Sequence, residues 1–164
     1  LQNFLLVQAP FYAVEEDDIY YALEYSSLIM HIDSDNNFSH TFGPDSIGVP
    51  VVDDKDGLYR IPRMGDQREG LRDIRVQGDY LYAILNGETY GKRIQIRYRN
   101  DFESLIEIAR HGQTLLIYNR HTLEFLKAVE LPVAASKMSI TDEKLYLLNY
   151  IDSEPAVYVY RNTL

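Results

Sequence analysis

A run of basic residues in the middle of this 164-residue chain is the first place to look for chemistry. Arg60, Arg63, Arg68, Arg72 and Arg75 are followed by Lys92, Arg93, Arg97 and Arg99. The planar guanidinium fork binds carboxylate or phosphate through two parallel hydrogen bonds, so such a cluster suits an anion or an acidic partner surface. Arg60, Arg63, Arg72, Arg75, Arg97 and Arg99 form the candidate docking rim. Charge is segregated along the chain: residues 1–58 carry −10, residues 59–120 carry +3 and residues 121–164 carry −2. The competing reading is of solvated loops salt-bridged to the acidic first segment.

Other candidates are weaker. Asp33-Ser34-Asp35-Asn36-Asn37 places oxygens at alternate positions, as the opening of a calcium loop does. The sixth and twelfth places hold Phe38 and Pro44 where such a loop needs Gly and Glu. A polar hairpin tip is therefore expected, and residues 53–57 are expected to form a turn as well. His31, His40, His111 and His121 lack metalloprotease spacing. His31 lies in an apolar run and is expected to be packed and hydrogen-bonded; His111 and His121 are expected in turns or on the surface. Gly43-Pro44-Asp45-Ser46-Ile47-Gly48 has the wrong spacing for a nucleophile elbow, and no phosphate-binding or dinucleotide loop occurs. Zero Cys excludes disulfides, thiolate zinc and thiol catalysis. With 25 acids in the chain, carboxylate pairs arise by chance, so no catalytic, metal or cofactor residue is assigned and no cofactor is expected.

The elements that would position these groups come from a repeat. Val14, Asp17, Ile19 and Tyr20 are matched by Val76, Asp79, Leu81 and Tyr82, and by Ile140, Glu143, Leu145 and Tyr146. The starts are 62 and 64 residues apart. Each pattern reads as a strand, a short polar turn and a second strand. Leu28 to Asp33, Leu115 to Asn119 and Ala156 to Arg161 then supply apolar runs that suit a central strand covered on both faces. Residues 38–42 and 123–131 add a further extended stretch to the first two units. Four short strands per unit is the size of one propeller blade; the third unit stops at Leu164, before its fourth.

The spacers are turn-dense. Residues 43–72 are expected to hold an extra hairpin, with Val51-Val52 and Leu58-Tyr59 flanking the turn. Within the 88–112 insert, Asn100 as N-cap, Glu103 and a terminal Gly112 outline a helix, with a strand through 105–108 as the alternative. Ile19, Leu81 and Leu145 are expected to be buried at equivalent positions. Tyr20, Tyr82 and Tyr146 recur at one repeat position and are expected to serve blade packing, whereas Tyr12, Tyr25, Tyr90, Tyr98 and Tyr150 are free to line a sugar or peptide surface.

The run from Asp79 to Gly87, then Leu116-Ile117-Tyr118-Asn119, Leu131-Pro132 and Lys144-Leu145-Tyr146-Leu147-Leu148 resembles consecutive blades of TolB-like six-bladed β-propellers, closest to the secreted or lipid-anchored Bacteroidetes branch. The likeness covers residues 73–161 and, more loosely, 11–42. Asn119 followed by Arg120-His121 departs from the Asp and aromatic-Asp-Gly turn of that family. The resemblance implies an all-β fold of four-stranded antiparallel blades, about three of them, half of a six-bladed ring. The units are then 11–42, 73–132 and 134–161 in one partial domain spanning 1–164. It also implies an extracytoplasmic protein.

The expected function is a non-catalytic binding or interaction module for a protein or glycan. The alternatives are a glycan-active propeller, which needs two carboxylates at a defined separation, and a carbohydrate-binding β-sandwich. A net charge of −9 argues against nucleic acid. No stretch approaches the ~18 apolar residues of a membrane span, and Phe4-Leu5-Leu6-Val7 is too short for a signal peptide core. Three units leave a ring open, so apolar faces are expected at both ends. These would be covered by self-association or by the remainder of a longer propeller chain, and residues 4–7 are expected as a source of the missing outer strand.

Overall fold

The computed structural model describes residues 10–44, 47, 53–55, 58–60, 68–88, 112–151 and 154–163. Thirteen β-strands account for their regular structure, with no helix among the described residues. Strands β1 (Pro10–Glu15), β2 (Asp18–Leu23), β3 (Ile29–Ile32) and β4 (Phe38–Thr41) form the first sheet. The second contains β7 (Leu71–Gln77), β8 (Tyr80–Leu85), β9 (Gly112–Asn119) and β10 (Phe125–Ala135). Strands β11 (Lys137–Ile140), β12 (Lys144–Ile151) and β13 (Glu154–Arg161) form the third. Each is an antiparallel meander in which a strand bonds to the next one along the chain. A separate hairpin pairs β5 (Asp53–Lys55) with β6 (Leu58–Arg60).

The three repeat hairpins share one register. Val14 faces Ile19, Val76 faces Leu81 and Ile140 faces Leu145. One strand further on, Ile19, Leu81 and Leu145 face Ile32, Tyr118 and Tyr160. Two-residue turns close the first two hairpins, and their first positions have φ of 55° at Glu16 and 57° at Gly78. A left-handed residue there matches the twist of the flanking strands, and glycine adopts it without strain.

Because side chains alternate along a strand, the common register sorts the repeat positions onto two faces. Leu81, Ala83, Leu116 and Tyr118 of the middle sheet pack with Tyr20, Ala22 and Ile29 of the first. Tyr82, Ile84, Leu115 and Ile117, on its opposite face, pack with Leu145, Leu147, Met138 and Ile140 of the third. The aliphatic repeat position therefore looks back toward the preceding sheet, and the tyrosine looks forward to the next. Outside its own sheet β7 neighbours β1 and β2 on one side and β11 on the other, so the first strands of the three meanders adjoin in series.

Two expectations change in detail. Leu81 is 0% exposed and Leu145 5%, but Ile19 is only half-buried, because among the described residues no other sheet lies against its face. The extra hairpin exists, yet residues 53–55 are strand rather than turn; Lys55 pairs with Leu58, leaving two residues between them. Strand β10 begins at Phe125 and runs through Pro132 to Ala135. Proline is tolerated because β10 is the edge strand and its pairing shifts between Glu130 and Ala135. The expected helix at residues 100–112 and the strand at residues 4–7 lie outside the described residues, apart from Gly112, which opens β9.

Candidate functional site

The sheets are joined by two different seams. Between the first and second, the β2–β3 turn lies against the chain entering β7: Gly70 N donates to Glu24 O at 2.8 Å and Leu71 N to Ser26 O at 3.1 Å. A Cβ on Gly70 would lie 2.1 Å from the Ser26 carbonyl oxygen, so only glycine allows this approach. Arg72 completes the seam, donating to Glu24 Oε1 at 2.5 Å and to Glu69 Oε2 at 2.7 Å. Arg72 is 5% exposed and Glu69 2%, so this pair is internal, while the Glu24 carboxylate is partly exposed.

Between the second and third sheets, side chains of β7 substitute for a strand edge. Asp73, 1% exposed, accepts from Met138 N at 2.9 Å, and Arg75 Nε donates to Met138 O at 3.0 Å. Arg75 Nη1 and Lys137 Nζ stand 3.1 and 3.3 Å from Asp73 Oδ1. One backbone residue of β11 is thus gripped at both its donor and its acceptor.

Of the six rim arginines, Arg72 and Arg75 occupy these seams. Arg60 lies in β6, opposite Asp53. Arg63, Arg97 and Arg99 lie outside the described residues. The structure therefore places two members of the set between sheets, and Glu24 and Glu69 face a guanidinium rather than a cavity.

The remaining polar candidates serve the turns and the core. Asp33 Oδ1 accepts from Asp35 N at 3.0 Å and Asn37 N at 2.8 Å, and its Oδ2 from Asn37 Nδ2 at 2.9 Å. These bonds hold the Asp33 carboxyl below the usual carboxylate range, the Asn37 side chain contributing most. Residues 33–37 are thus the β3–β4 hairpin tip. Asn119 does the same at β9–β10, accepting from His121 N and Thr122 N at 3.0 Å each. His31 is buried and stacked on Tyr20, with centroids 4.5 Å apart, and its Nε2 lies 3.5 Å from Asp18. Burial first, then the Asp18 carboxylate, pushes the Tyr20 hydroxyl up to about 12. Burial likewise raises Tyr82. His121 is exposed in a turn, 3.8 Å from Asp79; His111 lies outside the described residues. No group of three or more metal-ligating side chains occurs among the described residues, and no helix there is long and apolar enough to cross a membrane.

What stands out instead is apolar surface. On the outer face of the first sheet, Val14, Ile19, Ile32 and Phe38 lie directly opposite one another across all four strands. Tyr12, Tyr21, Met30 and His40 form the next row. Tyr12 is 65% exposed, Val14 56% and Phe38 60%. On the outer face of the third sheet, Tyr146 pairs with Val159 and Leu148 with Val157; Val157 is 63% exposed and Val159 54%. A depression of about 630 Å³ at its margin is lined by Glu143, Lys144, Val159, Tyr160, Arg161 and Asn162. Both faces can bury apolar area at ~25 cal/mol per Å². Of the tyrosines expected outside the packing position, Tyr12 is on this surface; Tyr90 and Tyr98 lie outside the described residues. Comparison with protein-family models and with curated proteins finds no match for the chain.

Proposed function

We propose that this chain is a non-catalytic binding or interaction module built of β-propeller blades, about three of the six in a TolB-like ring, acting outside the cytoplasm on a protein or glycan. The observation that carries the reading is the common register of the three hairpins. It gives every sheet a backward-looking and a forward-looking face, as radial repetition of one blade requires. The adjoining first strands β1, β7 and β11 support it, since innermost strands converge around a propeller axis. A two-layer sandwich has no sheet covered on both sides, whereas the middle sheet buries both. The acids at the seams hold backbone and guanidinium groups, a structural use that favours binding over hydrolysis.

The test is to titrate the purified chain against glycan and peptide arrays beside a panel of chromogenic glycosides. Saturable binding without turnover is expected. Glycoside hydrolysis that disappears on replacing a single carboxylate, or the absence of any binding, overturns the reading.

A further inference from the structure

We infer that the forward face of the third sheet docks on the backward face of the first sheet of a second copy of this chain, head to tail. The inference rests on the packing inside the chain, not on the binding role proposed above, and either can fail alone.

Inside the chain the same joint is made twice. Tyr20, Ala22, Ile29 and His31 form the forward face of the first sheet; the pairing places Tyr82, Ile84, Leu115 and Ile117 at the equivalent positions of the second. The corresponding set on the third sheet is Tyr146, Leu148, Val157 and Val159. Backward faces are equally matched: Leu81, Ala83, Leu116 and Tyr118 on the second sheet, and Leu145, Leu147, Tyr158 and Tyr160 on the third. Their counterparts on the first sheet are Ile19, Tyr21, Met30 and Ile32. Each internal joint sets a forward face on a backward one. Among the described residues the two faces that no other sheet covers are one of each kind, so two copies carry both halves of the joint that the chain already uses. Face against like face has no precedent in the molecule.

Charge favours the same pairing. The turns at one end of the first sheet carry Glu16, Asp17, Asp33 and Asp35, and no Lys or Arg occurs in residues 10–44. At the equivalent end of the third sheet the β11–β12 turn carries Asp142, which accepts from Gln77 of the second sheet, and Glu143; Lys144 and Arg161 pair across β12 and β13 on the outer face and line the depression with Glu143 and Val159. Laid in the register of the internal joints, acidic turns meet this basic pair. A two-fold axis relating the copies makes the contact twice and closes the assembly.

Light scattering and sedimentation equilibrium on the 164-residue chain test this, with twice the 19.1-kDa chain mass expected. Val14→Lys sets a cation against the basic pair, and Val159→Glu sets an anion against the acidic turns. Both sites are more than half exposed, so the far-UV circular dichroism of the fold is retained. Each variant alone weakens self-association at least about ten-fold. Mixing the two restores a one-to-one complex, because one copy keeps its first-sheet face and the other its third-sheet face. A parent chain that stays at the single-chain mass, an association lost in only one variant, or a failure of mixing to restore it overturns the inference.

Discussion

The middle sheet and the first sheet are cut from one repeat, yet they stand in different surroundings. Leu81 and Ile19 occupy the same register position, and the first is wholly buried while the second is half-covered. Tyr82 and Tyr146 repeat the contrast at the other end: 4% exposed in the middle sheet, half-buried in the third. Residue type is nearly constant across these pairs. What differs is whether another sheet lies against the face, so burial here belongs to the stack and only secondarily to the residue. An aliphatic side chain that would be core in one unit becomes contact surface in another.

The sharpest way to break this comparison is to truncate both members. Leu81→Ala is expected to cost about 2–5 kcal/mol in urea unfolding followed by circular dichroism, from lost transfer energy and a residual cavity. Ile19→Ala in the isolated chain is expected to cost less than about 1.5 kcal/mol, because part of its surface is already wet. Equal losses would erase the distinction between covered and uncovered faces.

Next in size is the seam between the second and third sheets. Asp73→Ala leaves Met138 N without its acceptor and separates Arg75 and Lys137 from their carboxylate, at an expected cost of about 3 kcal/mol. Amide exchange at Met138 should accelerate in that variant while exchange in β2 and β3 holds. Exchange that quickens equally in the first sheet would show that the two seams are not independent.

The smallest effect separates two turns. Glu16 and Gly78 share a left-handed conformation, but only the glycine holds it without strain. Glu16→Gly is expected to gain roughly 0.5–1 kcal/mol and Gly78→Ala to lose about 1 kcal/mol. A Cβ on Gly78 has no atom within 4 Å, so the loss would be conformational rather than steric. Melting temperatures moving in opposite directions would establish that the hairpins are equivalent.

Much of the architecture was legible because a hairpin register is a local property. Val14-Ile19, Val76-Leu81 and Ile140-Leu145 are close in the chain, and a turn of two or three residues leaves little freedom in how they pair. The face each residue would present follows from alternation alone. Apolar outer faces were also foreseeable, since units of one repeat are apolar on both faces. The seams were not. Charge density selected Arg72 and Arg75 as a rim, but their partners, Glu24 and Met138, lie 48 and 63 residues away. Salt bridging to the acidic first segment was the competing reading, and Arg72 with Glu24 fits it, but no linear pattern says which arginine turns inward from a strand. Position offered the usable signal: Arg72, Asp73 and Arg75 interrupt a strand whose neighbours Leu71 and Ile74 are fully buried, where an unpaired charge is costly. The turn acids were easier, because Asp33 and Asn119 bond backbone only two to four residues ahead.

The proline in β10 has a consequence for how copies of this chain meet. Sheet-forming chains can join edge to edge, each borrowing the other's free backbone groups, and such growth has no natural limit. Along the outer rim of the stack, β4 is only four residues long, β10 is interrupted by Pro132 and a shift in pairing, and β13 carries Pro155 near its start. Each of these spoils the template that an incoming strand would copy. Association is thereby steered away from open-ended zippering and toward the broad apolar faces, where the number of partners is set by geometry.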